Sequence, residues 1–353
     1  MRIAVLTNAF PPEQVGGAAR IAEIQVELLR EAGHEIQVFC PAELWTNRSF
    51  FWRLLGHVRD FFCNALLHDE IVSWRPNLLL THNLTGCGFA TPHSLQQKNV
   101  RWVHMLHDVQ LFEPSGRVFD ARVVTLWQRG WSYARRSVFG KPDAVISPTR
   151  WLIDQHLRRG WHWFEASIHV VPNPGPSIER IARAPHQPLH VLFVGRVAKD
   201  KGADVLVELM KNGDGSIVLE VVGDGPSLSV LRELSHVFCV GACSSEKVLR
   251  HMREADVLLV PSRLVENQPT VILEAASVGL PVIASPSGGI LETLGEVGTV
   301  CAVNDLLLWS KALGDLRDPS FFQTRVEHMY ALAQQHDVKK YGEKLMKILR
   351  ELG

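Results

Sequence analysis

Short apolar segments alternate along the chain with stretches whose apolar residues recur at helical spacing. Residues 3–6 are all apolar, residues 18–31 have helical spacing and are followed by Gly33, and residues 36–40 return to a mainly apolar run. This order predicts a strand, a helix and a second strand. Because continuous apolar runs are typical of parallel strands covered on both faces, a parallel sheet is expected.

The same alternation continues through both halves of the chain. Further strands are predicted at 78–81, 100–106, 144–147, 168–171, 191–194, 217–222, 237–240, 257–260, 282–284 and 299–303. A helix is predicted over 245–255, with Ser244 placed to cap its start. The pattern therefore predicts an α/β protein with two tandem doubly wound, Rossmann-like parallel-sheet domains that face a cleft.

A proline-rich stretch separates the two halves. Five prolines lie between Pro172 and Pro188, where neither a sheet nor a helix can continue. We therefore predict an N-terminal domain over 1–175, a linker over 176–188 and a C-terminal domain over 189–337. The last helix, 338–353, can pack on either the N-terminal or the C-terminal domain.

Composition narrows the class of protein. Lysine plus arginine equals aspartate plus glutamate, at 37 each among 353 residues, so no global field recruits nucleic acid. The six cysteines form no CxxC pair, and the first apolar run is too short for a secretory leader, so a reducing cytoplasm is expected. No stretch approaches the roughly 18 apolar residues of a membrane-spanning helix. The expected location is cytoplasmic, with attachment to the cytoplasmic membrane face as a hypothesis.

The most informative segment for function follows the predicted strand at 257–260. Glu266 lies in the loop after it, Pro269 suits the first helical position, and Glu274 lies about one turn inside the helix. Because Cα–Cβ bonds tilt toward the helix start, both carboxylates can converge there. Backbone N–H groups point to the same place, which suits a ligand with vicinal hydroxyls and a phosphate. The alternative is two carboxylates that only stabilise the helix dipole.

Three other segments fit the same kind of ligand. Arg196 and Lys201 follow a predicted strand, where two cations can neutralise a diphosphate. Gly16 and Gly17 lie between a strand and a helix and let the backbone approach a phosphate or sugar closely. His107 ends a predicted strand, where it can touch a reacting sugar. Taken singly, each has an ordinary alternative: a solvated basic loop, a tight turn and a structural histidine.

Together these segments resemble the retaining glycosyltransferases of the GT-B fold, specifically glycosyltransferase family 4, over nearly the whole chain. The ordered motifs that carry the resemblance are Gly16-Gly17, His107-Asp108, Val171-Pro-Asn173, Gly195-Arg196, Lys201-Gly202, Gly223-Asp-Gly225, Pro261-Ser262, and Glu266 with Glu274. The resemblance implies a hexosyltransferase that uses a nucleoside-diphosphate sugar. It further implies a glycan or lipid-linked acceptor, in bacterial cell-surface polysaccharide or glycolipid biosynthesis. The N-terminal domain would bind this acceptor, and the C-terminal domain would bind the nucleotide sugar.

The resemblance also implies a role for each matching residue. Arg196 and Lys201 would grip the donor diphosphate, and Glu274 would hydrogen-bond the ribose. Glu266 would hold the donor sugar, and His107 would lie near that sugar. The expected catalytic residues are Glu266, His107, Arg196 and Lys201. The expected donor-binding residues are Gly16, Gly17, Arg196, Lys201, Gly223, Asn267, Gln268, Pro269, Thr270 and Glu274.

The residue types agree with such a reaction. Departure of a nucleoside diphosphate builds negative charge on phosphate oxygens, so fixed cations lower the barrier more than a nucleophile would. Nothing demands the two carboxyl groups about 5 to 5.5 Å apart that retaining glycosidases use. From the resemblance we expect front-face attack in which the leaving phosphate takes the acceptor proton. No cofactor and no tightly bound metal are expected, which is consistent with the lack of an Asp-x-Asp motif.

One stretch of the first half points to the acceptor. Residues 45–67 mix aromatic and aliphatic residues with arginines, which suits a membrane interface or a lipid-linked sugar. The alternative is an ordinary amphipathic helix packed on the core. A second basic helix is predicted around Arg122, Arg129, Arg135 and Arg136, most simply as a solvated face.

Two other functions share the α/β pattern. A dinucleotide-dependent oxidoreductase requires GxGxxG after the first strand, whereas residues 223–226 supply only two of its glycines. A non-catalytic protein that binds nucleotide sugars on the same fold would hold the donor without turnover, and fold alone does not distinguish it.

Overall fold

The computed structural model describes residues 1–11, 16–41, 50–162, 167–213, 215–295 and 298–352. The chain divides into two compact units. Unit 1 comprises Met1–Asn173 and Lys339–Gly353, and unit 2 comprises Pro174–Val338. Each unit contains a six-stranded sheet in which all described pairings are parallel. The prediction of two parallel α/β sheets is confirmed.

Unit 1 is built on a sheet with the strand order β2-β1-β3-β4-β5-β6. Its strands are β1 (Arg2–Leu6), β2 (Glu35–Phe39), β3 (Leu78–Thr81), β4 (Arg101–Met105), β5 (Ala144–Ser147) and β6 (Ser167–Val170). Its helices are α1 (Gly17–Glu31), α2 (Phe50–Arg59), α3 (Ala65–Trp74), α4 (Thr91–Gln96), α5 (Leu126–Phe139) and α6 (Arg150–Arg158). The inner strands β3 and β5 are buried at every position, whereas the edge strand β6 is mostly exposed.

Unit 2 repeats this plan with the strand order β12-β11-β10-β7-β8-β9. Its strands are β7 (Leu189–Val194), β8 (Ile217–Val222), β9 (Val237–Gly241), β10 (Val257–Val260), β11 (Val282–Ala284) and β12 (Thr299–Val300). Its helices are α7 (Ala203–Lys211), α8 (Leu228–Arg232), α9 (Ser245–Glu254), α10 (Thr270–Ser277), α11 (Ile290–Leu294), α12 (Leu306–Asp315) and α13 (Pro319–Gln335). A short 3-10 helix, Lys199–Lys201, precedes α7.

Each sheet has a switch point, where successive strands are added on opposite sides. In unit 1 the chain runs outward from β1 to β2 and then resumes on the other side with β3. In unit 2 it runs from β7 through β8 to β9 and then returns to β10 beside β7. The loops at the carboxyl ends of such strand pairs form the crevice where α/β proteins bind ligands. The segments after β1, β3, β7 and β10 are therefore the first places to examine.

The C-terminal helix α14 (Val338–Glu351) packs within unit 1, and all of it after Val338 falls in that unit. Tyr341 is 3% exposed and accepts a hydrogen bond from the Gln25 side chain of α1. Leu345 joins the same buried cluster as Ile3 of β1. Gly342 leaves room for Leu28, whose side chain lies 3.3 Å from the position of an added Cβ. The apolar face of α14 thus completes the core of unit 1.

The predicted linker, 176–188, is assigned to unit 2 and is fastened to it by hydrogen bonds. The Arg183 guanidinium donates to the carbonyls of Met252, Ala255 and Val278 at 2.6 to 2.8 Å. His186 meets the buried Asp256 carboxylate at 2.7 Å. The prolines do exclude regular structure here, but the backbone carbonyls at the ends of α9 and α10 bind the segment. A composition-based linker prediction does not include such contacts.

Two helix starts differ from the prediction. Ser244 is the N-cap residue of α9, but its side chain makes no capping hydrogen bond. Pro269 occupies the N-cap of α10 rather than the first helical position, so the helix begins at Thr270. Glu274 is consequently the fifth helical residue. The proline ring supplies the extended φ that an N-cap needs, although it brings no side-chain acceptor.

Two further properties concern the whole described chain. Within the ranges given above, no helix has the length and apolar character needed to cross a bilayer. None of the six cysteines, all of which are described, forms a disulfide.

We expect Arg183→Ala to destabilise unit 2 by about 2 to 3 kcal/mol, because it leaves helix-terminal carbonyls without their charged donor. Urea unfolding of both variants measures the effect. Arg250→Ala is the matched control, because Arg250 is 69% exposed in a surface ion pair on α9 and its loss should cost less than about 1 kcal/mol. Equal losses in the two variants would contradict a fastening role for residue 183.

Candidate active site

In unit 2, the loops after β7 and β10 are held in contact at the switch point. Gly202 ends the 3-10 helix with φ +82°, and a Cβ built on it would lie 1.9 Å from the Pro261 carbonyl oxygen. The Asp200 carbonyl accepts hydrogen bonds from the backbone N–H groups of Arg263 and Leu264, each at 3.0 Å. Because only glycine permits this approach, the two loops form one rigid platform.

A compact charged cluster lies on this platform. The Lys201 Nζ atom donates to Glu266 Oε1 at 2.5 Å, and the Ser262 hydroxyl donates to the same oxygen at 2.7 Å. Arg196 Nη2 donates to Asp200 Oδ2 at 2.5 Å. The two cations retain 32% and 41% side-chain exposure, against 17% and 9% for their carboxylates. The carboxylates thus orient the cations, which keep donors available to an added anion.

A third loop, after β11, fixes the backbone of Glu266. Gly289 donates its N–H to the Glu266 carbonyl at 2.9 Å. Gly288 has φ +62°, and a Cβ on it would lie 2.1 Å from the same carbonyl oxygen. Asp200, Gly288 and Gly289 were not predicted as site residues from the sequence. The glycine pair at 288–289, which like Gly16-Gly17 comes after an apolar run, was the available signal.

The rest of the predicted donor segment leads into α10. Asn267 and Pro269 are partly exposed, Gln268 is 8% exposed, and Thr270 begins the helix. Glu274 is also partly exposed. In the structure, Lys201 and Ser262 contact Glu266 directly. The predicted residues of α10 follow Glu266 in the chain.

Gly223 has a structural explanation. It has φ +141°, and a Cβ would lie 1.8 Å from the Gly195 carbonyl oxygen. The glycine lets the loop after β8 pass directly behind the loop that carries Arg196. Its predicted contact with the donor stays a prediction.

In unit 1, the paired glycines lie at the start of α1. Gly16 is the N-cap residue with φ −178°, an extended conformation that any residue adopts. A Cβ built on it would meet nothing within 4 Å. Gly17 is the first helical residue, and the first turn of α1 contains no acidic side chain. Among the described residues, neither packing nor backbone strain requires a glycine at position 16.

His107 lies two residues beyond β4, and its ring is edge to edge and nearly coplanar with that of a second histidine, His82, which follows β3. The ring centroids are 5.0 Å apart with an interplanar angle of 13°, and His82 Nδ1 lies 2.8 Å from His107 Nε2. Burial lowers the pKa of His107 to about 4 and that of His82 well below its ordinary value. Both rings are therefore neutral at pH 7. The sequence analysis missed His82, although a histidine directly after a buried apolar strand was a signal.

The residues next to these histidines are also paired. The Asn83 amide donates to Asp108 Oδ2 at 3.1 Å, and the Gln110 N–H donates to Asp108 Oδ1 at 2.8 Å. Burial raises the pKa of Asp108 despite these bonds. A cavity of about 20 Å³ lies among these residues and apolar neighbours, room for about one water molecule.

One arginine of the predicted basic helix is not solvated. Arg135 is 2% exposed, with its guanidinium carbon 4.0 Å from the Phe89 ring centroid and 4.7 Å from that of Trp131. It donates to the Gln110 carbonyl. Burial lowers its pKa to about 9, so it stays charged at pH 7. The prediction of a solvated face is wrong at this position, because aromatic rings and a carbonyl take the place of water.

No group of three or more histidine, cysteine, aspartate or glutamate side chains is arranged to hold a metal ion within the described ranges.

Two Rossmann-like units, the second with cations and carboxylates at its switch point, define a protein of the GT-B class. Two family models match the chain: "Glycosyltransferase Family 4" over residues 15–174 and "Glycosyl transferases group 1" over residues 188–318. The chain belongs to this glycosyltransferase family and is a glycosyltransferase. This membership decides against the oxidoreductase and the non-catalytic binding protein.

Relatives and solved structures agree with this assignment. The GDP-mannose-dependent alpha-(1-6)-phosphatidylinositol monomannoside mannosyltransferase of Mycolicibacterium smegmatis is 32% identical over 359 residues, covering 88% of each chain. Sucrose-phosphate synthase from Thermosynechococcus elongatus has a TM-score of 0.79 at 19% identity, covering 100% of this chain and 99% of that one. Anabaena HepE in complex with UDP-glucose has a TM-score of 0.72 at 15% identity, covering 99% and 100%. At these identities the two structures support the fold alone.

We expect acidification to destabilise unit 1 selectively. Loss of solvation lowers the pKa values of histidines 82, 104, 107 and 156 in this unit, so the unfolded state binds protons below pH 6.5 that the folded state does not. Their stability contribution is full above pH 6.5 and falls as the pH drops, by about 1.4 kcal/mol per pH unit for each histidine.

Unit 2 supplies the internal control for this expectation. The hydrogen bond that the His190 ring donates to the Glu220 carboxylate raises the pKa of His190, so its contribution to stability is present below pH 6.5 and is lost as the pH rises. The protein is titrated with urea at about pH 7.5 and at about pH 5.5. A hydrogen-exchange pulse, applied to all samples at one fixed pH, then reports the unfolding of each unit separately. Equal acid sensitivity of peptides from β4 and β10 would contradict the expectation.

Proposed function

We propose that this glycosyltransferase moves a hexosyl group from a nucleoside-diphosphate sugar to a hydroxyl of a glycan or lipid-linked acceptor, with retention of anomeric configuration. The pathway we propose is bacterial cell-surface polysaccharide or glycolipid synthesis. The observation that carries the proposal is the contact of Lys201, Ser262 and Glu266 at the switch point of unit 2, with Arg196 on the same loop.

The cations would supply most of the catalysis. The leaving diphosphate gains negative charge as the anomeric C–O bond breaks, and an oriented guanidinium and ammonium stabilise that charge in place. Arg196 provides a planar fork for two phosphate oxygens, while Lys201 provides a point charge. Their carboxylate partners hold both side chains before the donor arrives, which lowers the ordering cost of binding.

The carboxylates would orient the donor rather than attack it. Glu266 accepts two hydrogen bonds at Oε1, which leaves Oε2 as the acceptor for a hydroxyl of the transferred sugar. We assign Glu274 to the ribose, the segment Asn267–Thr270 to the donor sugar, and Gly16 and Gly17 to the phosphates. The open space at Gly16 and the start of α1 support that last assignment.

In this proposal the anomeric configuration is retained because the acceptor hydroxyl attacks the anomeric carbon from the same face that the leaving group departs from. The acceptor oxygen forms the new bond to the anomeric carbon, the C–O bond to the diphosphate breaks, and the leaving phosphate oxygen takes the acceptor proton. Both electron pairs and the proton are then accounted for without an enzyme nucleophile. We also propose that the reaction needs no cofactor and no tightly bound metal.

The acceptor side of the proposal includes contact of unit 1 with an anionic bilayer. Residues 45–49 lie outside the described residues. The helix α2 and the residues that follow it meet α5 at Trp131, whose ring centroid lies 5.7 Å from that of His57 and 5.3 Å from that of Phe61. This part of unit 1 exposes large apolar side chains at 43 to 85%, namely Trp52, Leu55, Val58, Phe62, Leu126, Trp127 and Tyr133. Exposed arginines 59, 122 and 129 lie among them. This mixture favours an anionic membrane interface over a helix packed wholly on the core.

The donor is identified by a panel of GDP-, UDP- and ADP-sugars, scored first by thermal shift and then by nucleotide release with candidate acceptors. GDP-mannose is the first candidate, because the 32% identical relative is GDP-mannose-dependent. Nuclear magnetic resonance of the product then reads the anomeric configuration. Turnover without nucleotide release, or an inverted product, would contradict the proposed reaction.

We expect Lys201→Ala and Glu266→Ala each to lower kcat by about 10² to 10³, as removal of one oriented charge-stabilising group does. The control is Lys199→Ala, because Lys199 is an exposed cation in the same 3-10 helix. All three variants should unfold within a few degrees of the wild type, since the ion pair is partly exposed and worth at most about 1 kcal/mol. Wild-type turnover in both test variants would refute the site.

We expect Leu126→Glu with Trp127→Glu to abolish sedimentation with vesicles that contain phosphatidylglycerol, because two exposed apolar anchors become anions. Leu307→Glu is the matched control, since Leu307 is 83% exposed on α12 of unit 2. Thermal shift with the donor nucleotide should stay at its wild-type value. Wild-type protein that does not bind such vesicles at low salt would refute the membrane contact.

A further inference from the structure

Two dipeptides lie side by side at the carboxyl ends of neighbouring strands in unit 1. His82-Asn83 follows β3 and His107-Asp108 follows β4, and the two strands pair in parallel. The two histidines are in hydrogen-bond contact, with 2.8 Å between His82 Nδ1 and His107 Nε2. The Asn83 side-chain amide donates a hydrogen bond to Asp108, with 3.1 Å between Asn83 Nδ2 and Asp108 Oδ2. The second pair fixes the backbone that bears His107, so the first pair can fix its ring.

The inner histidine is held more firmly than the outer one. His82 is 1% exposed, and its backbone N–H donates to the Leu6 carbonyl of β1 at 2.9 Å. His107 is partly exposed, and its ring lies edge to edge with the His82 ring. The adjacent cavity of about 20 Å³ admits about one water molecule. The rigid ring therefore orients the accessible one.

The position of the shared proton follows from the other nitrogen of His82. Both rings are neutral at pH 7, so one nitrogen of the contact donates and the other accepts. His82 Nε2 is buried and has no protein hydrogen-bond partner within the described residues. A buried acceptor left without a partner is less costly than a buried N–H donor. His82 Nδ1 is therefore the donor, and His107 carries its own proton on Nδ1.

We propose that His82 is a positioning residue, whose Nδ1–H hydrogen bond in the plane of the two rings holds His107 in one ring orientation and in the tautomer protonated at Nδ1. The consequence for catalysis rests on the proposed function, in which His107 contacts the transferred sugar. In that role the Nδ1–H group is a directed donor to a sugar oxygen. The hydrogen bond between the two rings does not itself depend on that function.

Nitrogen NMR of histidine rings tests the bond without turnover. In ¹⁵N-histidine-labelled protein near pH 7, the signals that vanish in His107→Gln belong to His107. The wild type should show His107 with a protonated Nδ1 and a bare Nε2. His82→Phe keeps an aromatic ring at this position but removes the donor, so His107 should shift toward the tautomer protonated at Nε2. An unchanged tautomer in His82→Phe, or a wild type protonated at Nε2, would overturn the proposal.

Kinetics test the consequence. His82→Phe should lower kcat by about 10- to 100-fold, as loss of a supporting contact does, with the donor KM within about twofold. His82→Asn returns an N–H donor close to the Nδ1 position and should recover most of the rate. His156→Phe replaces another fully buried histidine, whose ring bonds Leu152 in α6, and should leave kcat and the tautomer of His107 unchanged.

The failures of the two proposals are distinguishable. No turnover by the wild type with any nucleotide sugar would refute the proposed function, and the NMR result would then decide the ring contact alone. Normal wild-type turnover, with equal losses in His82→Phe and His82→Asn and an unchanged tautomer, would show a general packing role and overturn the positioning role.

Discussion

The site depends on one geometric constraint, which is that parallel strands deliver all their carboxyl ends to one edge of a sheet. In unit 2, β7 and β10 are neighbours although more than 60 residues separate them in the chain. Gly202 lets their following loops touch, against the Pro261 carbonyl. The contact of Lys201 with Glu266 is possible only after that approach. The charged cluster is therefore a product of the sheet topology and one left-handed glycine.

The two units treat charge in opposite ways. Unit 2 keeps its cations at the surface of the platform, each oriented by a carboxylate, so an anion can replace water around them. Unit 1 buries His82 and holds it neutral beside the partly exposed His107. A neutral imidazole costs far less to bury than an imidazolium does, and it still offers one donor and one acceptor. Unit 2 can thus stabilise developing charge, whereas unit 1 can present a directed hydrogen bond.

Sequence reasoning found most of the fold because continuous apolar runs identify inner parallel strands; those at 78–81, 144–147, 217–222 and 257–260 have the predicted bounds. It erred where a tertiary contact decides the outcome. The proline-rich segment is bound by Arg183 to helix-terminal carbonyls, and Arg135 is covered by aromatic rings. The carbonyls that bind Arg183 and the Phe89 ring that covers Arg135 are far from these arginines in the chain. His82 was missed for the same reason, because its proposed role depends on its contact with His107, which follows the next strand.

The glycines separate what the fold requires from what a ligand would require. Gly202, Gly223 and Gly288 each have positive φ and would place a Cβ within about 2.1 Å of a carbonyl oxygen, so the fold alone explains them. Gly16 has extended backbone and open space where a Cβ would be. Among the described residues, neither packing nor backbone strain therefore accounts for the glycine at position 16. The fold explains the first three glycines and leaves the predicted contact of Gly16 with the donor phosphates as a prediction.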